Sequence, residues 1–387
     1  MQSNLNRRAF IASGSAALLS GCATVGPRSS ACAPLVPLRL DEPVVRAIAG
    51  LRPYRPSGFV VRRDQIGDKA IVHNYGHGGA GITMSWGSSR LATLLGLPGH
   101  SGPVAVLGAG VMGMTTARLV QEAGFPVTIY AAALTSDTTS YVAGGQVMPS
   151  TLYRESLVTP AWRQQFAAAL DYSLARFRTQ IGDHYGIRQL PTYIEHDGGQ
   201  QPDYVSRVAV GWRDLTRAQH PFPLAQVARY ETMYVETGRF LRQLTAELLQ
   251  AGGHVRVRQF DTPADIATLP ETLIFNCTGL GARELFGDEE LLAIRGQLAV
   301  LAPQTGVDYA FSGRAGYRIH VPARRRDHPR RDVRTGGVGR DARADRDRRD
   351  RRFAPAAIRR LPLHGLIRVE HGPSNNGPTH LLELDFQ

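Results

Sequence analysis

The sequence predicts an α/β fold built around a Rossmann-like β-α-β unit at residues 104–130. An apolar run, V-A-V-L, ends in a glycine motif and passes directly into a helical pattern, and a second apolar run follows. A strand, a glycine turn, a helix and a strand in this order form the dinucleotide fingerprint. A chain of 387 residues is long enough for one or two intertwined domains, so a second, smaller domain is expected.

The three glycines of the motif have separate roles. Gly108 permits the tight turn, Gly110 lets the backbone approach a pyrophosphate, and Gly113 lets helix and strand pack closely. The start of the helix, with Ala109 and Val111, offers backbone N–H groups to phosphates. A glycine turn with only a structural role is the alternative, but the flanking strands and helix favour a nucleotide cofactor.

The net charge of +12 does not indicate a nucleic-acid partner, because most of the excess positive charge comes from one segment of the chain. Residues 324–360 contain 15 arginines and 6 aspartates, which accounts for most of the surplus. Lys69 is the only lysine of the chain, a bias typical of a GC-rich gene rather than of a binding surface. No nucleic-acid partner is therefore expected.

The N-terminus predicts export. N-R-R-A-F-I at residues 6–11 resembles a twin-arginine signal, and the apolar segment after it is too short to span a membrane. L-S-G-C, which ends at Cys22, resembles a lipoprotein cleavage box. We therefore expect residues 1–22 to be the signal, Cys22 to be lipidated on the periplasmic side of the membrane, and residues 23–40 to be a tether. A disordered N-terminus with a chance pair of arginines is the alternative.

A second glycine-rich stretch, I-V-H-N-Y-G-H-G-G-A-G-I-T, occupies residues 71–83. It predicts an apolar strand that breaks into a glycine loop and resumes as a strand toward Trp86. His73 and His77 have a spacing that metal ligands can use, but no carboxylate or cysteine is near, so no metal is expected. Because Cys32 has no evident partner and Cys277 ends a predicted buried strand, no structural disulfide is expected either.

Several short motifs together resemble the D-amino-acid oxidase family of flavoenzymes, over roughly residues 44–317. They are R-P-Y-R-P at 52–56, H-N-Y-G-H-G-G-A-G at 73–81, T-T-S-Y-V-A-G-G at 138–145, N-C-T-G-L-G at 276–281 and R-G-Q at 295–297. In the family the first two motifs lie near the C-terminus, whereas here they precede the fingerprint and no second copy follows. The chain is therefore expected to be circularly permuted, with residues 100–103 as the new joint.

The resemblance implies a Rossmann-like FAD-binding domain and a smaller, mostly antiparallel α+β substrate domain. The FAD-binding domain is expected at residues 101–150 and 236–290 together with the permuted segment 41–100, and the substrate domain at 151–235 and 291–317. Periodicity predicts helices at residues 161–181 and 236–252. Strands are expected at residues 190–195, 255–257, 273–277, 298–301 and 309–317.

The resemblance also assigns residues to FAD. Apart from the five fingerprint residues named above, they come from three loops and are Gly78, Gly81, Ile82, Thr83, Thr138, Thr139, Ser140, Gly144, Gly145, Gln146, Thr278 and Gly279. For the substrate, the family pattern places Arg52 at the carboxylate, the carbonyl of Gly79 at the amine, and Tyr317 in contact with the substrate. A surface salt bridge is the alternative role for Arg52, and a core position for Tyr317.

The implied reaction passes a hydride from the Cα of a D-amino acid to the flavin. The imino acid hydrolyses to a 2-oxo acid and ammonia, and dioxygen reoxidises the flavin to give hydrogen peroxide. The cofactor performs this chemistry, so no catalytic side chain is assigned. A glycine- or sarcosine-type amine oxidase on the same fold, or a defective product of a damaged gene, are the alternatives; an NAD-dependent dehydrogenase is a more distant one.

Two features depart from the family. The second strand of the fingerprint unit ends in Y-A-A-A at residues 130–133, without the acidic residue that usually binds ribose, so adenosine binding should be weaker than usual and NAD is disfavoured. From Arg318 the family pattern stops, and an Arg- and Asp-rich tail without helical or strand period follows to residue 387. We interpret this tail as a frameshift near Arg318, with a natural basic tail as the alternative.

Overall fold

The structure is a computed structural model, and it describes residues 35–36, 44–196, 198–301 and 304–313. Cys22, Cys32, Tyr317 and the tail from Arg318 lie outside the described residues. A short N-terminal unit ends at Leu35, and all elements below belong to the unit that begins at Val36. Within the described part of the chain, no helix has the length and apolar character needed to cross a bilayer.

The described part of the chain contains both strands and α-helices. The strands are β1 (Val44–Tyr54), β2 (Val60–Ile66), β3 (Lys69–Tyr75), β4 (Val104–Leu107), β5 (Val127–Ala131), β6 (Ile187–Glu195), β7 (Val210–Leu215), β8 (Val227–Val235), β9 (His254–Val257), β10 (Leu273–Asn276), β11 (Leu292–Leu301) and β12 (Ala310–Ser312). The helices are α1 (Gly81–Gly96), α2 (Val111–Glu122), α3 (Pro160–Thr179), α4 (Val205–Val208), α5 (Thr237–Gln250), α6 (Pro263–Ala267) and α7 (Gly281–Phe286).

The first sheet has six strands in the order β2-β3-β10-β4-β5-β9, and every pairing in it is parallel except that of β2 with β3. All four residues of β4 are buried, as expected for a central parallel strand between two helix-covered faces. In the register of this sheet, Leu107 of β4 lies opposite Asn276 of β10 and Tyr130 of β5. The loops after β3, β4 and β10 therefore leave the same edge of the sheet, where α/β proteins bind their ligands.

The expected strand toward Trp86 is wrong, because α1 occupies residues 81–96. Its small residues let it approach its neighbours closely: a Cβ added at Gly87 would lie 1.7 Å from the carbonyl oxygen of Ala169 in α3. A helix packed on several sides is apolar or small all round and has no clear amphipathic period, which hides it from a periodicity analysis.

The second sheet has four strands in the order β12-β6-β8-β7, and it is antiparallel except for the pairing of β12 with β6. Helices α3 and α5 confirm the two helices predicted from periodicity, and β6, β9 and β10 confirm three of the strands. The predicted strand at 298–301 is the end of β11, which pairs with β1 and not with the four-stranded sheet. The predicted strand at 309–317 is described only in part, as β12.

Candidate cofactor and substrate site

The fingerprint turn has the geometry that its glycines predict. Gly108 adopts a φ of +102°, and a Cβ there would lie 2.5 Å from the carbonyl oxygen of Cys277. A Cβ at Gly113 would lie 1.9 Å from the carbonyl oxygen of Gly108, so α2 and the turn pack too closely for a side chain. Among the described residues, the only atom within 4 Å of a Cβ added at Gly110 would be the hydroxyl oxygen of Ser140, at 3.2 Å. The backbone is thus open at the position where a pyrophosphate would approach.

The start of α2 faces the loop that contains Ser140. Gly110 is the N-cap residue and has no side chain to accept from the helix, and the Val111 N–H donates to Ser140 Oγ at 3.1 Å. Ser140 belongs to a short 3-10 helix, Thr139–Val142, and the hydroxyl of Thr138 donates to the carbonyl oxygen of Thr135 at 2.7 Å. The structure therefore brings the predicted threonine-rich loop to the N-terminal end of α2, which is expected to bind phosphate.

The glycine loop before α1 lies against the segment that follows Gly145. A Cβ at Gly78, which has a φ of +51°, would lie 2.1 Å from the carbonyl oxygen of Thr151, and the Gly79 N–H donates to that oxygen at 3.1 Å. In the first turn of α1, Thr83 Oγ1 accepts from the Met148 N–H at 3.0 Å. These contacts place Gly78 and Gly79 against Thr151, and Thr83 against Gln146 and Met148, while a Cβ added at Gly81 would lie 4.0 Å from Val111 Cγ1 at the start of α2.

The loop that contains Gly145 is also fixed from the substrate sheet. Gly145 has a φ of +78°, its carbonyl oxygen accepts from the Val235 N–H at 2.8 Å, and a Cβ there would lie 2.0 Å from the Val235 carbonyl oxygen. The side-chain amide of Gln146 donates to the hydroxyl of Tyr230 on β8 at 3.3 Å. Sequence reasoning missed β8 and therefore this tyrosine, which is 2 % exposed.

The third loop follows β10 and contains Thr278 and Gly279. Asn276 Oδ1 accepts from the Thr278 N–H at 3.2 Å and from the Thr278 hydroxyl at 2.7 Å, while its amide donates to His73 Nδ1 at 2.9 Å. Burial lowers the pKa of His73 to about 4, with a smaller contribution from Arg62, so the ring is neutral near pH 7. From the sequence, His73 was considered as a metal ligand and not as a partner of Asn276. The missing information was the pairing of β3 with β10, the strand that leads into the N-C-T-G motif.

Arg52 is carried by β1 and lies over the neighbouring strand. A Cβ added at Gly296 in β11 would be 2.8 Å from both Nε and Nη2 of Arg52, so the guanidinium rests on the bare backbone of that glycine. This contact explains the glycine of the R-G-Q motif, because a side chain at residue 296 would meet the guanidinium.

The β1 segment around Arg52 touches all three predicted FAD loops. A Cβ at Gly50 would lie 3.2 Å from Thr139 Cγ2, and one at Gly279 would lie 4.0 Å from Pro53 Cγ. Tyr54 forms a backbone bridge with His77, directly before the Gly78 loop. The structure thus brings Arg52, Gly79 and the predicted FAD residues of the chain together at one edge of the six-stranded sheet.

The second arginine of the R-P-Y-R-P motif has a different role. Arg55 forms ion pairs with Asp288, at 3.0 Å, and with Glu290. Tyr75 donates to the same Asp288 carboxylate at 2.9 Å, and burial together with this bond raises the pKa of the Tyr75 hydroxyl. Arg55 therefore joins β1 to the turn after α7, which is a structural role.

The described residues contain no cluster of three metal-ligating side chains. His77 is stacked on Phe59, with 5.1 Å between ring centroids, and its buried Nε2 has no partner among the described groups. Burial lowers the pKa of His77 to about 3.

The position expected to bind ribose is the end of β5. This strand ends at Ala131, and the next residue, Ala132, is exposed and carries no carboxylate.

The chain is similar to a family of known proteins. The family model described as FAD dependent oxidoreductase (DAO) matches residues 24–95 and 103–379, so its second range continues into the tail that lacks the family motifs. Over 204 residues the chain is 31% identical to a D-amino-acid oxidase of Streptomyces coelicolor, and over 211 residues it is 29% identical to a D-aspartate oxidase of Homo sapiens. Each alignment covers 52% of this chain and 60% of the relative, so the chain spans about three fifths of the length of these curated relatives.

Among solved structures, glycine oxidase from Geobacillus kaustophilus is 17% identical, with a TM-score of 0.39 over 55% of this chain and 66% of that one. The cofactor of the matched family fits the residues present, because the turn at Gly108 and Gly110 leaves the backbone open to a pyrophosphate beside the start of α2. The family model covers most of the chain, including the fingerprint and all the glycine loops, and the chain therefore belongs to the DAO family of FAD-dependent oxidoreductases.

Proposed function

We propose that the protein oxidatively deaminates D-amino acids to 2-oxo acids, ammonia and hydrogen peroxide. The observation that carries the proposal is the position of Arg52, a cation on a strand segment that contacts the Thr139, Gly279 and Gly78 loops. A guanidinium beside the cofactor loops suits a substrate with a carboxylate, which it can bind through two parallel hydrogen bonds. The names of the curated relatives, D-amino-acid oxidase and D-aspartate oxidase, support the same substrate class.

In this proposal the chain binds and orients the substrate. Arg52 binds the carboxylate and the carbonyl of Gly79 accepts a hydrogen bond from the amine, so that two points fix the Cα between them. Gly145 and Gln146 border the site, and Tyr317 contacts the substrate from the segment beyond the described residues. When bound, FAD supplies the hydride acceptor and passes the electrons to dioxygen.

A glycine- or sarcosine-type amine oxidase is the second candidate, because those substrates also carry a carboxylate next to an amine. A peroxide assay of purified protein with D-amino acids, L-amino acids, glycine and sarcosine separates the two. The proposal expects turnover of D-amino acids and little of their L-enantiomers, and turnover of glycine or sarcosine alone would overturn it. A protein that shows no flavin absorbance after incubation with FAD and removal of the free cofactor would be identified as a defective product.

We also propose export and lipid anchoring, on the strength of the N-R-R-A-F-I and L-S-G-C motifs. Twin-arginine export carries folded proteins, which suits a protein that acquires its cofactor in the cytoplasm. Radioactive palmitate should label the protein in a bacterial host, and the Cys22→Ser variant should lose both the label and the membrane fraction. Label retained in that variant would exclude Cys22 as the lipidated residue.

Circular permutation of the chain is a further part of the proposal. Strand β3 and helix α1 both precede the fingerprint in the chain. In the structure, β3 nevertheless lies beside β10 in the sheet and α1 packs on α2. The break between the two ranges that the family model matches falls at residues 96–102, next to the expected joint. Moving residues 44–99 to follow the substrate domain should preserve FAD binding, and a protein that fails to fold in that order would argue against permutation.

The frameshift near Arg318 remains a prediction about the gene. Resequencing should reveal a lost or gained base near codon 318. An intact frame, together with a tryptic peptide from residues 353–387 in the native organism, would contradict it.

A further inference from the structure

A buried pair of polar side chains links the first part of the chain to the third FAD loop. His73 of β3 and Asn276 of β10 are opposite each other in parallel register, and they are 1 % and 0 % exposed. The amide of Asn276 donates to His73 Nδ1 at 2.9 Å. Beyond Asn276 the chain enters the turn of Thr278 and Gly279, which the family pattern assigns to FAD.

The orientation of the Asn276 amide is determined by its surroundings. A backbone N–H can only donate, so the atom 3.2 Å from the Thr278 N–H must be the oxygen, and the nitrogen must face His73. His73 Nδ1 must then be an unprotonated acceptor, and the ring proton lies on Nε2, which is 3.9 Å from Asp64 Oδ2. Thr278, Asn276 and His73 therefore form one chain of hydrogen bonds, in which Thr278 donates to Asn276 Oδ1 and the Asn276 amide donates to His73 Nδ1.

We propose that His73 and Asn276 are positioning residues, which hold the Thr278–Gly279 turn in the conformation that binds FAD. This inference rests on the assignment of that turn to the cofactor site. The turn needs such support, because Gly279 adopts a φ of +59° and the Thr278 N–H and hydroxyl share a single acceptor, Asn276 Oδ1. A Cβ at Gly108 would lie 3.4 Å from Thr278 Cα, so a displaced turn would also press on the fingerprint.

Protonation of His73 Nδ1 would place two donors against each other and break the chain of hydrogen bonds. The groups that face the ring are Arg62 and Asp64 from β2, Tyr75 and Phe286 at its edges, and Asp288 from the turn after α7. Burial outweighs the two carboxylates and keeps the pKa of His73 at about 4. The support for the turn therefore persists throughout the neutral range.

Two substitutions at His73 test the hydrogen bond. His73→Asn places a side-chain oxygen close to the position of Nδ1 and keeps an acceptor, whereas His73→Leu removes it. We expect His73→Leu to weaken FAD binding about tenfold, as measured by quenching of flavin fluorescence, and His73→Asn to restore most of it. Equal FAD affinity in both variants and the wild type, or equal loss in both, would overturn the proposal.

Asn276→Asp provides a variant of the same size and shape in case His73→Leu does not fold. The carboxylate still accepts from Thr278, but it can no longer donate, so His73 Nδ1 must carry a proton to pair with it. The adjacent negative charge favours the cationic ring over the neutral Nδ1–H tautomer. FAD affinity should then vary with pH between roughly pH 5 and pH 8, while that of the wild type stays flat. A flat profile for Asn276→Asp would overturn the inference, whereas a wild-type protein that does not bind FAD at all would instead exclude the assigned cofactor site.

Discussion

The guanidinium of Arg52 lies directly over Gly296 in the paired strands β1 and β11, where an added Cβ would approach Nε and Nη2 to 2.8 Å. The side chain of Arg52 is flexible at this end, so a methyl group at residue 296 would displace the guanidinium rather than unfold the strand pair. If Arg52 binds the substrate carboxylate as proposed, this glycine determines where the guanidinium meets it.

Gly296→Ala should raise the KM for D-amino acids about tenfold without changing FAD absorbance, because a shifted arginine binds the carboxylate with poorer geometry. Steady-state kinetics with a D-amino acid measure this. In the Arg52→Ala background the same substitution should have no further effect, since the interaction it disturbs is already gone. Additive effects of the two substitutions would mean that Gly296 acts elsewhere.

Arg52→Ala should cost about 2–5 kcal/mol in substrate binding, because the carboxylate loses its charged partner. Arg55→Ala is the matched control, since this arginine follows in the same motif but pairs with Asp288 and Glu290. It should leave KM unchanged and lower the free energy of unfolding by about 1–3 kcal/mol. Kinetics and thermal unfolding of both variants separate the two roles, and a KM effect confined to Arg55→Ala would reverse the assignment.

Gly110→Val should abolish FAD binding, because its side chain would fill the space that the pyrophosphate needs beside α2. Ala123→Val adds bulk at the exposed other end of the same helix and should bind FAD like the wild type. Flavin absorbance after reconstitution and gel filtration compares the two. Normal flavin content in Gly110→Val would remove the fingerprint from the cofactor site.

The Ala132→Asp substitution should strengthen FAD binding about tenfold, because it restores a carboxylate for the ribose hydroxyls at the end of β5. FMN lacks the adenosine half and should bind both proteins alike. Ala123→Asp carries the same charge far from the ribose and serves as the control. If FMN binding rose in parallel with FAD binding, the carboxylate would be acting on something other than the ribose.

Acid should destabilise the protein partly through His77. Burial lowers the pKa of His77 to about 3 in the folded state, below the value of about 6.5 in an unfolded chain. The contribution of the neutral ring to the free energy of unfolding is therefore complete above pH 6.5 and is lost as the pH falls toward 3. His77→Phe retains the stacking on Phe59 and removes the titrating group. Urea unfolding between pH 7 and pH 5 should show a smaller loss of stability in this variant than in the wild type. If the free energy of unfolding fell equally with pH in both proteins, His77 would not be a source of the acid sensitivity.

The sequence was most informative where local pattern and backbone conformation coincide. The β4–α2–β5 unit was predictable because glycines at 108, 110 and 113 permit only a few arrangements between two buried strands. Helix α1 was not, since its residues are small and packed on several sides. The contact of Arg52 with Gly296 and the bond of His73 to Asn276 were also out of reach, because both join strands more than 200 residues apart.

The proposed function is the oxidation of D-amino acids by FAD bound at this site. Its most direct test is the anaerobic addition of a D-amino acid to the FAD-reconstituted protein while flavin absorbance is recorded. We expect the oxidised flavin band to bleach with the D-enantiomer, to persist with the L-enantiomer and to return when air is admitted. A flavin that is bound yet stays oxidised with every D-amino acid, or that bleaches only with glycine or sarcosine, would contradict it.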